Sequence, residues 1–165
     1  FARGNVMELK DSKKEKLSYN QVLLGAIGNA KSSGQMPENV TMRDAMLKTI
    51  QEIQQKNVQT VQIGNSIFLG VRDEDRSNMY VRVYNMDVGR NVIDNMYNYG
   101  AYVQKQGIKH MSAQIRNERL LPALKVLQKR LEKLDTNLEF VNLENRDGYG
   151  MFVKFGKQPL QKEAA

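Results

Sequence analysis

The sequence has no cysteine, a single histidine and no long hydrophobic run, and each of these absences excludes a class of function. Without cysteine the chain has no disulfide framework, no thiolate metal site and no catalytic thiol. One histidine, His110, makes zinc chemistry and a Ser-His-Asp triad poor candidates. No apolar run approaches the roughly 20 residues that cross a bilayer, and no apolar N-terminal stretch indicates a signal peptide. We therefore expect a soluble protein that has no membrane span and is not secreted.

The length and composition fit one domain. The chain has 165 residues, of which 41% are hydrophobic, enough to bury about two-thirds of the surface that the unfolded chain exposes. Pattern changes along the chain predict a basic N-terminal arm or edge strand over residues 1–16, one domain over 17–156 and a flexible tail over 157–165.

The net charge of +7 favours association with an acidic partner or a nucleic acid, without identifying which. The positive charge is concentrated in two segments. Solvated surface explains such runs in most proteins, and no aromatic side chains alternate with them as a single-strand binder would require. The candidate nucleic-acid-binding residues are Lys10, Lys13, Lys14, Lys16, Lys125, Lys129, Arg130 and Lys133.

Hydrophobic spacing in the first half predicts two helices followed by three strands. The first helix begins near Leu17 and ends at Ser32-Ser33-Gly34, and Thr41 is a suitable N-cap for the second. The period then changes to two on either side of Gly64-Asn65, which predicts a β-hairpin. A third strand follows at 79–84.

The second half predicts a helix over 88–106, a short strand at 110–115, a helix capped by Asn117 and two last strands at 138–143 and 149–155. Five tyrosines lie around the predicted strand at 79–84 and the helix that follows it, and a core with polar rims explains them better than a stacking platform. They are Tyr80, Tyr84, Tyr97, Tyr99 and Tyr102.

The order of these elements, α-α-β-β-β-α-β-α-β-β with a possible edge strand before it, resembles the GCN5-related N-acetyltransferase family over nearly the whole chain. Ile115-Arg116-Asn117, followed by leucines at helical spacing, is similar to the step at which an asparagine opens a helix in that family. The resemblance implies an α/β fold with a mixed, mostly antiparallel central sheet flanked by helices.

The same resemblance implies an acetyl-CoA site where the third strand passes into the following helix. In active members this segment has spaced glycines, so that backbone N–H groups and the helix N-terminus face the pyrophosphate. The residues at this place here are Val88, Gly89, Arg90 and Asn91, and Asn117 is the helix-opening residue. Because the second glycine is missing, acetyl-CoA binding stays an open question, and a plain turn is the alternative.

The catalytic groups of the family are also incomplete. A tyrosine seven residues after the opening asparagine serves as general acid in many members, but Leu124 stands there. The central strand lacks the usual carboxylate, so a base would have to be Glu144, Tyr84 through a water, or His110. A lone histidine at a strand start is more often structural than catalytic.

These observations leave three hypotheses. The first is a non-catalytic or weakly catalytic acetyltransferase-like domain with a structural or binding role; in this form the chain also resembles acetyltransferase-like internal virion proteins of short-tailed bacteriophages, which implies a location in the virion or the cytoplasm and a larger structural partner. The second is an acetyl-CoA-dependent N-acyltransferase acting on a primary amine. The third is a sequence-independent nucleic-acid binder whose affinity falls steeply with salt.

Overall fold

The computed structural model describes the backbone of residues 6–9 and the residues 16–73, 75, 77–143 and 148–161. The predicted order of elements is confirmed, including the edge strand. The elements are β1 (Val6–Leu9), α1 (Tyr19–Ser32), α2 (Met42–Ile53), β2 (Val58–Ile63), β3 (Ser66–Arg72), β4 (Asn78–Asn85), α3 (Arg90–Lys105), β5 (His110–Ile115), a 3₁₀ helix (Glu118–Leu120), α4 (Leu121–Glu132), β6 (Asn137–Asn142) and β7 (Tyr149–Lys154).

Local hydrogen bonds explain where the first two helices begin. The side chain of Ser18 accepts a hydrogen bond from the Gln21 backbone N–H, and the Gln21 side chain accepts one from the Ser18 N–H. This capping box satisfies two donors at the start of α1. Thr41 caps α2 as predicted, because its hydroxyl accepts from the Asp44 N–H at 3.1 Å.

The strands form one seven-stranded sheet in the order β1-β2-β3-β4-β5-β7-β6. The pairs β1–β2 and β4–β5 are parallel, and the other four pairs are antiparallel. This confirms the predicted mixed, mostly antiparallel sheet. The two-residue turn between β2 and β3 contains Gly64 and Asn65, as the hairpin prediction requires.

Two hydrophobic clusters form on opposite faces of the sheet. The larger lies under α3 and α4 and includes Val81, Met111, Leu124 and Leu138. The smaller lies under α1 and α2 and includes Leu23, Ile53 and Leu69. Helices α3 and α4 therefore cover one face of the sheet, and α1 and α2 cover the β2, β3 and β4 part of the other face.

Three local differences from the sequence expectations have physical causes. Asn117 caps the 3₁₀ turn through the Arg119 N–H (3.1 Å), so α4 itself begins four residues later, next to Pro122. The chain beyond 156 is packed at least to Leu160, which is buried and whose N–H donates to Gln104 Oε1 at 2.7 Å. Tyr97 and Tyr99 are buried as predicted, but Tyr80 is 53% exposed.

No helix within the described part of the chain is both long enough and apolar enough to pass through a bilayer.

Candidate functional site

The parallel strands β4 and β5 separate before they end, which opens the sheet. Their pairing covers Asn78–Val81 of β4 and His110–Ala113 of β5. Beyond this segment, β4 continues to Asn85 in register with β3, and β5 continues to Ile115 in register with β7. Beyond the paired segment, β4 is still paired with β3 and β5 with β7, but β4 and β5 are no longer paired with each other. A cleft therefore opens between them at their carboxyl ends, where α/β proteins commonly bind ligands.

The N-terminus of α3 lies at this opening, directly after β4. Gly89 is its N-cap, with φ 58° and ψ −131°, a conformation that side chains with a Cβ rarely adopt. As a glycine, Gly89 offers no side-chain oxygen to the first N–H groups of α3, and among the described residues a Cβ placed on it would meet open space. Val88, Gly89 and Arg90 are exposed, whereas Asn91 is half-buried. The uncapped helix end and the exposed guanidinium favour an anion here.

A buried polar network holds this segment in place. Asp87 is 5% exposed, and its Oδ2 accepts hydrogen bonds from the Asn65 backbone N–H (2.8 Å) and from Asn95 Nδ2 (2.6 Å), while its Oδ1 accepts from Asn65 Nδ2 (3.2 Å). The Asn85 side chain bonds both the N–H and the carbonyl of Asp87. The network therefore ties the β2–β3 turn, the end of β4 and α3 to one carboxylate.

Sequence reasoning missed this network. Its signal was Asn95, which lies one turn after Val92 on the apolar side of α3 and is 2% exposed. A polar residue at such a position predicts a buried hydrogen-bonding partner. Gly64 belongs to the same arrangement, since a Cβ there would lie 2.8 Å from Asn95 Oδ1 and 3.0 Å from Asp87 Oδ2.

The other side of the opening is formed by the segment after β5. Arg116 is exposed, and its Nη1 reaches the Gln35 carbonyl in the loop between α1 and α2 at 3.5 Å. Arg119, next to Asn117, is also exposed. The segment after β5 thus adds positive charge, while Asn117 itself orders the turn.

The groups considered for proton transfer are poorly placed. Leu124 is 1% exposed and packs in the larger core. His110 starts β5, about 13 Å along the strand from Gln114 at the opening (four residues at 3.3 Å). Glu144 lies outside the described residues.

Tyr84 is half-buried and bonded to α2. Its phenol lies 3.3 Å from Thr49 Oγ1, and Thr49 already donates its hydroxyl proton to the Ala45 carbonyl. Because a threonine hydroxyl has one proton, Tyr84 must donate in this pair. The phenol proton of Tyr84 is therefore used in a hydrogen bond to Thr49 of α2, and the Asp87 carboxylate is used in accepting hydrogen bonds from its amide donors.

Comparisons with known proteins identify the fold. No protein-family model matches the sequence, and no curated protein is similar to it in sequence. Among solved structures, it is similar to an acetyltransferase from Streptococcus agalactiae (11% identity, TM-score 0.50, covering 86% of this chain and 96% of that chain).

It is also similar to a GCN5-related N-acetyltransferase from Brucella melitensis (12% identity, TM-score 0.50, 84% of this chain and 72% of that chain). A third match is an uncharacterised protein from Bacillus halodurans (12% identity, TM-score 0.50, 85% and 82%). The chain has a GCN5-related N-acetyltransferase-like fold.

Five of the residues predicted to bind nucleic acid lie in the described part of this acetyltransferase-like fold. Lys125, Lys129 and Lys133 are exposed at intervals of four along α4 and its C-cap, so they share one side of the helix. Lys16 is half-buried before α1. Lys10, Lys13 and Lys14 lie outside the described residues.

Arg130 has a different environment from the α4 lysines. Its Nη1 donates to Asp94 Oδ1 at 3.1 Å, and its guanidinium lies 3.9 Å from the centroid of the Tyr97 ring. Both partners are on α3, so Arg130 joins α4 to α3 rather than facing solvent. Arg130 therefore has acidic and aromatic partners inside the fold, and its contact with nucleic acid stays a prediction.

Proposed function

We propose that this chain is an acetyltransferase-like binding protein that holds the pyrophosphate of CoA or an acyl-CoA at the N-terminus of α3 and transfers acyl groups weakly or not at all. The main supporting observation is the coincidence of two features. The β4–β5 pairing ends at Val81 and Ala113, and the uncapped start of α3 faces the resulting cleft. This is where the fold's resemblance implies a cofactor.

The residues present fit such a ligand in charge and shape. The first N–H groups of a helix have no intrahelical acceptor, and here no side chain replaces one at the cap. Arg90, Arg116 and Arg119 are exposed on the two segments that border the cleft. A CoA thioester would supply the activated acyl group, while the chain would supply the anion site and the guanidinium groups.

Support for weak or absent transfer comes from the proton-transfer groups. Leu124 has no acidic proton, Asp87 is buried under three amide donors, and Tyr84 donates to Thr49. General acid–base catalysis contributes about 10²–10⁴-fold in enzymes. We therefore expect turnover lower by about that factor than in a complete acetyltransferase.

Calorimetric titration of CoA and acetyl-CoA into the protein tests the binding site. The variant Gly89→Leu/Arg90→Ala places a bulky side chain at the cap and removes the guanidinium. Its matched control is Gly28→Ala/Arg43→Ala, which changes the same residue types in α1 and α2, where Gly28 has open space around it and Arg43 is exposed. We expect micromolar binding by the native chain and the control, and loss of binding in the first variant.

Two results would contradict the proposal. One is the absence of binding at millimolar CoA, and the other is equal affinity in the two double variants. If CoA binds and a primary amine is acetylated at rates typical of enzymes, the binding site stands and the chain is an active N-acyltransferase instead.

The role in a bacteriophage virion, the larger structural partner and the cytoplasmic or virion location stay predictions from sequence resemblance alone, because the fold is compatible with many roles. Nucleic-acid binding by Lys125, Lys129 and Lys133 likewise stays a prediction, and an affinity that falls steeply with salt would be its signature.

A further inference from the structure

Half of the sheet has one face that no described helix covers. Helices α1 and α2 lie over β2, β3 and β4, where Glu52 of α2 bonds Arg82 at 2.7 Å and Thr49 contacts Tyr84. On β5, β7 and β6 the side chains of the same face are exposed or half-buried, apart from Gly150. We call this surface the open face; its residues are Asn78, Tyr80, His110, Ser112, Gln114, Phe152, Lys154, Asn137, Glu139 and Val141.

Two aromatic rings lie in one row across the open face. Tyr80 is in register with Ser112, and Ser112 is in register with Phe152 on the next strand. The rings therefore stand two strand spacings apart, about 10 Å, with only a serine between them. Tyr80 is 53% exposed and Phe152 is 46% exposed. A single exposed aromatic is ordinary, but two in register on an uncovered sheet face form a flat platform.

The neighbours of the rings are polar and can hydrogen-bond. The adjacent row contains Asn78, His110, Lys154 and Asn137, which are successive register partners. The formally charged side chains are Lys154 and Glu139, and Arg82 at the border is paired with Glu52. The two rings are thus surrounded by amide, imidazole, hydroxyl and ammonium groups and by the carboxylate of Glu139, the register partner of Phe152, rather than by a continuous apolar patch.

From this arrangement we propose that the open face binds single-stranded nucleic acid, with unpaired bases stacked on Tyr80 and Phe152. A stacking platform needs exposed rings on a sheet, with donors and acceptors around them for base edges and a positive field for the phosphates. The chain supplies the field through its net charge of +7. That same charge opposes a second copy of the chain on this face, and the separation of the rings by Ser112 leaves little apolar area for such a dimer.

The inference differs from the sequence expectation in location. The predicted lysine segments lack neighbouring rings, whereas the open face brings Tyr80, Ser112 and Phe152 together from three strands. The row of Tyr80, Ser112 and Phe152 is also separate from the CoA site, because it crosses the paired segment of β4 and β5 and lies on the opposite side of the sheet from α3 and α4.

Fluorescence anisotropy with labelled oligouridine, oligothymidine and a duplex of the same length tests the proposal on the full chain. We expect micromolar binding of one or both single strands and weaker binding of the duplex, whose bases are already stacked. The difference in affinity between oligouridine and oligothymidine shows whether the open face binds single-stranded RNA, single-stranded DNA or both. Tyr80→Ala and Phe152→Ala should each weaken binding about fivefold or more, since a base–aromatic stack contributes about 1–3 kcal/mol.

Three controls separate stacking from charge and from misfolding. Tyr80→Phe and Phe152→Tyr keep the rings and should bind within twofold of the native chain. Leu47→Ala removes an equally exposed apolar side chain (48%) from α2 and should change nothing. Lys125→Ala/Lys129→Ala removes charge from α4 and should lower affinity equally for all oligonucleotides, without altering the preference for single strands.

Any of four outcomes overturns the proposal: no binding of either single strand, duplex binding as tight as single-strand binding, unchanged affinity in Tyr80→Ala/Phe152→Ala, or sedimentation equilibrium showing a dimer that this double variant dissociates. The last outcome would assign the open face to a second copy of the chain.

Discussion

Strands β3 and β7 each have three consecutive apolar residues with phenylalanine in the middle, but the two phenylalanines differ in burial. Ile67, Phe68 and Leu69 are all buried, because α1 and α2 cover one face of β3 and α3 covers the other. In β7 Met151 and Val153 are buried under the larger core, while the phenylalanine between them is exposed on the open face. An apolar triplet therefore does not reveal how many faces of its strand are covered.

The largest expected effect compares the two phenylalanines directly. Phe68 stacks on Tyr99 with centroids 4.2 Å apart and is 1% exposed, so Phe68→Ala should lower the free energy of unfolding by about 3–5 kcal/mol. Phe152→Ala should lower it by about 1 kcal/mol or less, because the ring is half in water already. Urea unfolding of both variants measures the difference, and equal losses would mean that the open face is covered in solution.

The next prediction concerns the segment between β4 and α3, which Asp87 holds in place through its buried hydrogen bonds. Asp87→Ala leaves the buried donors of Asn65 and Asn95 without their acceptor, so we expect a loss of about 3 kcal/mol in unfolding free energy. The control Asp94→Ala breaks a partly exposed pair with Arg130 and should cost about 1 kcal/mol or less. Comparable losses of unfolding free energy in the two variants, measured by urea unfolding, would show that the Asp87 network does not stabilise the β4–α3 segment.

Two glycines, Gly28 inside α1 and Gly89 at the N-cap of α3, should have effects of opposite sign on stability. Gly89→Ala introduces a Cβ at φ 58° and should destabilise the fold by about 1–2 kcal/mol. Gly28→Ala lies inside α1 with open space around it and should stabilise by about 0.5–1 kcal/mol. Thermal unfolding of the two variants should shift in opposite directions; a shared direction would be inconsistent with the described geometry of Gly89.

The smallest expected effect concerns the buried hydroxyl of Tyr99 in α3. Tyr99 is 1% exposed, and its phenol has no hydrogen-bond partner among the described residues. Tyr99→Phe should therefore stabilise the fold by about 1 kcal/mol at neutral pH.

The same substitution has a pH signature. Burial raises the pKa of Tyr99 above its ordinary value of about 10. Because the unfolded chain then ionises first, the native protein loses stability as pH rises above about 10. The phenylalanine variant should lose less over that range in urea unfolding. An unchanged alkaline slope would mean that the phenol is not desolvated.

Much of the fold followed from patterns within short segments. Apolar spacing predicted α1 to α4 and the strands to within a few residues, and Thr41 and the turn at Gly64-Asn65 marked a helix start and a hairpin correctly. The resemblance in element order predicted the fold correctly.

Other features of the site could not be found in this way. The Asp87 network joins residues 22 positions apart in sequence, and Arg130 looked like a surface charge until α3 placed Asp94 and Tyr97 beside it. His110 looked available to the cleft, but the β4–β5 register places it at the far end of its strand.

By itself, the sequence determined the local periodicities, the caps and turns, the absence of thiol chemistry and the basic charge, because each depends on residues within a few positions or on composition alone. The tertiary structure alone decided where β4 and β5 separate, which strand faces are covered and which polar groups are buried. Those outcomes depend on contacts between segments that are distant in sequence, and such contacts fix the opening at the start of α3 and bring Tyr80 and Phe152 into one row.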